Sequence, residues 1–205
     1  MSVAIIDTGC ANIFSVQAAL DRLSADHKLA RTPDDARNAS HLILPGVGTP
    51  RAAMRALDSR GWATALRTER RPLLGICLGM QILFEHSGEG DVAGLGLLPG
   101  SVRRLDPGGN LVWPHMGWNQ LQIMGAKSPL LGGIADKSHA YFVHGYAVSV
   151  SDSTIATTRY GRDFSAIVQR GNIMGCQFHP ERSSSVGSKI LSNFMEINYE
   201  TLPGN

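Results

Sequence analysis

The first third of the chain alternates short apolar runs, each closed by turn residues, with stretches whose apolar positions fall three and four apart. Val3-Ala4-Ile5-Ile6 is the first run, ended by Asp7-Thr8-Gly9. Behind a candidate N-cap at Asn12, Ile13, Val16, Leu20 and Leu23 then recur at helical spacing, while Gln17, Asp21 and Arg22 face elsewhere. His41-Leu42-Ile43-Leu44 is a second run, stopped by Pro45-Gly46-Val47-Gly48, and Pro50 suits the first turn of a helix through Met54 and Leu57. Leu73-Leu74-Gly75-Ile76 is a third, and a helix is expected over 78–84. This alternation predicts an α/β fold, a mostly parallel open sheet flanked by helices, with ligands beyond the carboxyl ends of its strands.

After about Val102 the pattern becomes strand-rich. Strands are expected at 101–105, 140–144, 154–159, 165–169 and 173–177, separated by Gly, Pro, Asp and Asn. Ser183-Ser184-Ser185 leads into one closing helix marked by Val186, Ile190, Leu191, Phe194 and Ile197. This second half is the smaller part, and neither repeat nor linker divides the chain, so residues 1–205 read as one domain.

Composition narrows the function. A hydrophobic fraction of 43% with 18% charged residues excludes a disordered chain or coiled coil. A net charge of +2 supplies too little field for nucleic acid or an anionic membrane. Residues 1–7 carry no basic leader and too short an apolar run for a signal peptide or membrane span. Cys10, Cys77 and Cys176 are odd in number, far apart and without a C-x-x-C pair, which argues against disulfides and structural zinc and for a reducing cytoplasm. No metal or cofactor is expected. Arg51, Arg55, Arg60, Arg67, Arg70 and Arg71 read as a solvated helix surface, with an anion or partner patch as the alternative.

Gly75-Ile76-Cys77-Leu78-Gly79 has the G-x-nucleophile-x-G form of a strand-to-helix elbow, with cysteine in place of serine. Such a turn strains its central residue and crowds the positions two before and two after, where glycine avoids collision. It also sets sulfur beside a helix's first turn, whose free N–H groups favour a thiolate. Cys176 lies in a strand and reads as core, as does Cys10 in the first strand-to-helix loop; taken alone, Cys77 could be a buried small apolar residue too. A base is offered by Gln177-Phe178-His179-Pro180-Glu181, where an apolar strand ends at histidine. Glu181 could accept Nδ1–H of His179, leaving Nε2 to take the thiol proton. The Leu78 N–H is one oxyanion donor by the logic of the elbow, and the glycine-rich turn at Val47 and Gly48 could supply a second, though it could equally be only a tight turn.

The elbow with a distant His-Pro-Glu resembles the class I (triad) glutamine amidotransferases. Further stretches carry a likeness, within that class, to glutaminase subunits that serve a separate cyclase. They are Ile5-Ile6-Asp7-Thr8-Gly9, Pro114-His115-Met116-Gly117-Trp118-Asn119 and Tyr141-Phe142-Val143-His144. The resemblance implies that Cys77 attacks the carboxamide of L-glutamine, giving a γ-glutamyl thioester and ammonia. It implies glutamine contacts from Gln81 and from the backbone of Gly46, Gly145 and Tyr146. It also implies a (β/α)8-barrel cyclase partner of histidine biosynthesis, docked at Asn12, Trp118, Tyr141 and Arg182. Each position has a plainer reading: Gln81 as a solvated helix residue, Trp118 and Tyr141 as core aromatics, Asn12 as a cap, Arg182 as a surface charge.

Three positions depart from the family pattern. Gly145 stands where a hydroxyl residue is more usual, leaving only backbone contact there. Val112-Trp113 precede Pro114 where a basic residue is more usual, and Cys10 replaces a small or apolar residue. Two other readings share the elbow: a stand-alone cysteine hydrolase or chaperone-like protein, and a non-catalytic binder. Glu181 and the Pro-Gly-Val-Gly turn disfavour the first, and a full triad disfavours the second. Ammonia is nucleophilic only when unprotonated, and no G-x-x-x-x-G-K-[ST] loop or nucleotide fingerprint is present to use it here. The acceptor site is therefore expected on another chain.

Overall fold

The computed structural model describes residues 2–9, 12–106, 108–109, 111–125 and 128–198. Cys10, read above as a core residue, lies outside them. The three apolar runs form β1 (Ser2–Ile6), β3 (His41–Gly46) and β4 (Leu73–Cys77), with β2 (Asp26–Ala30) outside β1. These four strands pair in parallel in the order β2-β1-β3-β4. Because successive side chains point to opposite faces, Val3, Ile5, Ile43, Leu74 and Ile76 pack on one side. Ala4, Ile6, Leu42, Leu44 and Leu73 pack on the other. The first side is covered by α1 (Ile13–Arg22) through Val16 and Leu20, and by α5 (Ser184–Glu196) through Ile190, Leu191 and Phe194. The second is covered by α2 (Pro50–Ser59) and α3 (Trp62–Leu66), with Leu57 and the Trp62 ring fully buried. Pro50 opens α2, where Thr49 accepts from the Ala52 N–H at 3.4 Å.

The strand-rich half is not a separate layer. β14 (Ile173–Cys176) joins β4 in parallel, and β13 (Arg162–Arg170), β12 (Thr154–Tyr160) and β9 (Gln122–Ile123) then continue the same eight-stranded sheet antiparallel. A smaller sheet runs β11-β7-β5-β6, from β5 (Phe84–Ser87), β6 (Val92–Ala93), β7 (Leu98–Arg104) and β11 (Tyr146–Val148). β8 (His115–Gln120) and β10 (His139–His144) form an antiparallel pair.

The expected helix over 78–84 shortens to α4 (Leu78–Gln81). The carbonyls of Ile82, Leu83 and Phe84 accept from the N–H groups of residues 95–98 rather than from a further helical turn, and Phe84 begins β5. β2 escaped the sequence pattern because it is an edge strand with little buried apolar surface. The arginine group is not uniformly solvated: Arg60 pairs with Asp7, Arg71 binds Glu69 and the carbonyls of Ala36 and Ala39, and Arg51 donates to the Gly90 carbonyl. Among the described residues no helix is long and apolar enough to cross a membrane.

Candidate functional site

Cys77 sits where β4 ends and α4 begins, with φ 52° and ψ −110°. A non-glycine residue in this region stores on the order of 1–3 kcal/mol that surrounding packing must hold. The flanking glycines allow it. A Cβ on Gly75 would lie 2.7 Å from the Gly79 carbonyl oxygen and the Met80 backbone, and one on Gly79 would overlap the Leu44 carbonyl of β3. Gly46, opposite Cys77 in the β3–β4 register, has no room either: its Cβ would be 2.9 Å from the Gly79 amide nitrogen. Gly46 and Gly79 thus let the end of β3 lie against the elbow, and Gly75 lets α4 fold back on β4. Since α4 is a single turn, its dipole is small, and the charge facing a thiolate comes instead from His179.

His179 leaves the end of the β14 segment, and its N–H donates to the Tyr141 carbonyl of β10 at 3.0 Å. The turn that follows is pinned by Ser183, whose hydroxyl donates to the His179 carbonyl at 2.7 Å and accepts from the Tyr141 N–H at 3.0 Å. The His179 Nδ1 lies 2.8 Å from Glu181 Oε1, so Nε2 is the nitrogen left for Cys77. Burial works to lower the His179 pKa, but hydrogen bonds and charge from Cys77 and Glu181 outweigh it and raise it to about 10. Among the described residues Glu181 Oε2 is buried with no hydrogen-bond partner, so the imidazolium is the main compensation for this carboxylate. Cys77 is 8% exposed, its sulfur 3.7 Å from the Val143 carbonyl oxygen and 4.0 Å from Gln177 Nε2. Cys176 is fully buried, and burial together with the Glu181 charge pushes its thiol pKa far up, which leaves it inert.

Cys77 and His179 line one cavity of about 350 Å³ with Val47, Gly48, Leu78, Gln81, Gly145 and Tyr146, which the sequence reading grouped for oxyanion and glutamine; Gly46, expected to contact glutamine as well, does not line it and packs instead against Leu78 and Gly79. Gln81 is 4% exposed rather than solvated. Its Nε2 donates to the Tyr146 carbonyl at 2.9 Å and to Gln177 Oε1 at 3.1 Å, so Oε1 is the atom it can offer a ligand. The Gly145 carbonyl accepts from the Leu105 N–H and from Trp113 Nε1, both at 2.9 Å, which uses both its lone pairs. Backbone contact at Gly145 is thereby confined to the N–H. Sequence reasoning missed Glu89 and Trp113 as pocket residues. Glu89 is a carboxylate whose pKa is raised by burial; no motif marks it.

A second cavity of about 180 Å³ shares Val47, Val143 and His179 with the first and opens between Asn12, Tyr141 and Arg182. Asn12 precedes α1 but its side chain makes no capping hydrogen bond. Trp118, cross-strand from Tyr141 with ring centroids 5.9 Å apart, is 54% exposed and so is not a core aromatic. Met116 and Phe14 are exposed as well, Phe14 by 84%.

A buried relay lies behind the pocket. The Tyr146 carbonyl can only accept, so His144 Nδ1 carries the proton that bonds it at 2.9 Å. His144 Nε2 then accepts from His115 Nδ1–H at 2.9 Å, and His115 Nε2 from Asn119 Nδ2–H at 3.2 Å. Burial lowers the His115 pKa to about 4 and the His144 pKa to about 3, so both rings are neutral beside the His179 cation. Unfolded histidine titrates near 6.5, so protons bind the unfolded chain first, and the relay's stabilisation is full above pH 6.5 and drains away as pH falls toward 4. The melting temperature is expected to drop between pH 7 and pH 5, above most carboxylate titration, and the drop is expected to shrink in His144→Asn, which keeps a donor toward Tyr146. A flat profile in the wild type would contradict the neutral pair.

The family model for class-I glutamine amidotransferases matches residues 4–197. Solved structures of similar fold include PurLQS from Thermotoga maritima (TM-score 0.73, 19% identity, 95% of this chain and 97% of that one). A glutamine amidotransferase from the same organism is another (TM-score 0.66, 16% identity, 98% and 88%). With an elbow cysteine facing a carboxylate-held histidine and a match over nearly its whole length, the chain belongs to the class-I glutamine amidotransferases. Its relatives place it more finely. It is 51% identical over 197 residues to the imidazole glycerol phosphate synthase subunit HisH of Xanthomonas axonopodis pv. citri, covering 96% of this chain and 98% of that protein. It is 50% identical over 195 residues to the HisH subunit of Xylella fastidiosa strain Temecula1, covering 95% and 97%. Within the class the chain is a member of the HisH family.

Proposed function

We propose that this protein, as a single catalytic domain, hydrolyses L-glutamine through a Cys77 thioester and hands the ammonia to a separate (β/α)8-barrel cyclase. That partner would use it to form imidazole glycerol phosphate and AICAR in histidine biosynthesis. The observation that carries the reading is the convergence of Cys77 and His179 on one pocket sized for an amino acid, with Glu181 holding His179 at 2.8 Å from outside it. The Cys77 thiolate attacks the carboxamide carbon, and the oxygen's new charge is held by the Leu78 N–H and by a donor from Val47 or Gly48. His179 gives its Nε2 proton to the nitrogen as the C–N bond breaks and ammonia leaves. Water then attacks the thioester, giving its proton to His179, and glutamate departs as the C–S bond breaks. Gly46 holds the end of β3 against the elbow. Gln81 Oε1 and Glu89 are acceptors for the substrate ammonium, and the N–H groups of Gly145 and Tyr146 are donors for its α-carboxylate.

Ammonia leaving Cys77 has His179, Val47 and Val143 between it and the second cavity, whose mouth is Asn12, Tyr141 and Arg182. The exposed Trp118, Met116 and Phe14 near this mouth support docking of the cyclase there, since a cluster of large exposed apolar side chains is costly unless a partner covers it. Two buried, unpaired thiols at Cys77 and Cys176 support a reducing cytoplasm. Co-purification with the cyclase, followed by a glutaminase assay with and without it and its ligand, tests the proposal. The isolated chain is expected to turn over only a small fraction of what the complex does, because loop 46–48 presents its N–H when the partner is bound. Full turnover by the chain alone would refute that gating, and absence of a complex would refute the partner.

A further inference from the structure

Two of the departures from the family pattern, Gly145 and Trp113, lie 32 residues apart in sequence and touch in the structure. The Trp113 indole rests directly on Gly145. A Cβ added there would meet the ring at 2.5 Å (Cζ2), 2.9 Å (Cε2) and 3.2 Å (Nε1), far inside normal contact. The indole N–H donates to the Gly145 carbonyl at 2.9 Å. The Arg104 guanidinium lies 4.4 Å from the ring centroid, and Tyr146 meets the ring edge-on at 6.5 Å. The side chain is 41% exposed, yet it is held by a hydrogen bond, a cation–π contact and an aromatic contact while it lines the Cys77 cavity. A large aromatic so fastened at a half-open site is a wall of the pocket rather than idle surface.

We propose that Trp113 is a substrate-positioning residue: it occupies the volume a side chain at 145 would take and orients the Gly145–Tyr146 peptide against bound glutamine. The inference rests on the glutamine-pocket reading above. The carbonyl of Gly145, drawn toward Trp113 and Leu105, points its trans-peptide partner, the Tyr146 N–H, the opposite way. Trp113 therefore sets the direction of a donor without touching the reacting atoms. It also makes residue identity at 145 conditional, since glycine is required only while the indole is there.

The test is steady-state glutaminase kinetics in the complex with the cyclase. Trp113→Phe, which keeps a ring but loses the N–H, is expected to raise KM for glutamine a few-fold, the loss of about one hydrogen bond, with kcat within about twofold. Trp113→Ala is expected to raise KM on the order of tenfold or more. Gly145→Thr is expected to impair the wild type severely but to cost much less in a Trp113→Ala background, because the collision is gone. Should Gly145→Thr fail to fold alone yet fold in that background, the matched pair is equally supported. Wild-type KM in both Trp113 variants, or equal cost of Gly145→Thr in both backgrounds, would overturn the proposal. Cys77→Ala separates the two readings. If it retains glutaminase activity, the pocket itself is misread and both readings fall; if it is dead while the Trp113 variants are normal, only this one falls.

Discussion

Cys77→Ala is expected to lower glutamine-dependent synthesis by the complex on the order of 10³-fold or more, while synthesis fed with ammonium salts stays near the wild-type rate. Among the described residues no other thiol can take over. Cys176 is fully buried one strand away with its thiol held protonated by burial. The separation of effects follows from the division of labour: the thiol makes ammonia, and another chain consumes it. Alanine at 77 also relieves no packing on which the fold depends, since the cysteine contributes little more than its sulfur to the core. Without the sulfur the influence that helps to raise the His179 pKa is gone, so that pKa is expected to fall from about 10 in Cys77→Ala, measurable by imidazole NMR. Loss of ammonia-fed synthesis together with the glutamine reaction would contradict separate sites.

Gly79→Ala is expected to be among the most destructive small substitutions at the described residues. The added methyl would overlap the Leu44 carbonyl oxygen and lie 2.8 Å from the Leu44 carbonyl carbon, both backbone atoms of a central strand. Neither can swing aside as a side-chain tip would, so β3 and the elbow must part. A cost on the order of 3–5 kcal/mol is expected. For a chain of this length that corresponds to a melting temperature lower by about 10 °C or more. Because Leu44 runs straight into Pro45-Gly46-Val47-Gly48, the same displacement moves the proposed oxyanion loop, and activity is expected to fall further than stability alone explains. Gly61→Ala is the comparison: φ there is +78° but no atom lies within 4 Å of the new methyl, so only backbone strain is added. Equal melting shifts in the two variants would show that crowding at the elbow is not what selects glycine.

Much of this protein could be read from one dimension. Runs such as Val3–Ile6 and 73–76 are apolar at every position because helices cover both faces of the sheet, and the elbow pentapeptide follows from a local steric demand. His179 and Glu181 are two residues apart, so their hydrogen bond is local as well. What the sequence left open is what depends on distance in space. Ile82-Leu83-Phe84 reads as the continuation of a helix, and only the small sheet, which takes Phe84 into β5, shows otherwise. β2 carries no apolar pattern because only its edge position defines it.

The parallel pairing of β14 with β4 decides that Cys77 and His179, 102 positions apart, meet at all, because it sets two strand ends side by side at one rim of the sheet. The same folding makes Glu89 and Trp113 pocket residues and turns two unrelated departures, at 113 and 145, into one contact. Local sterics and periodicity are written in the order of residues; which atoms share a cavity is settled only when strands take their register and the chain closes on itself.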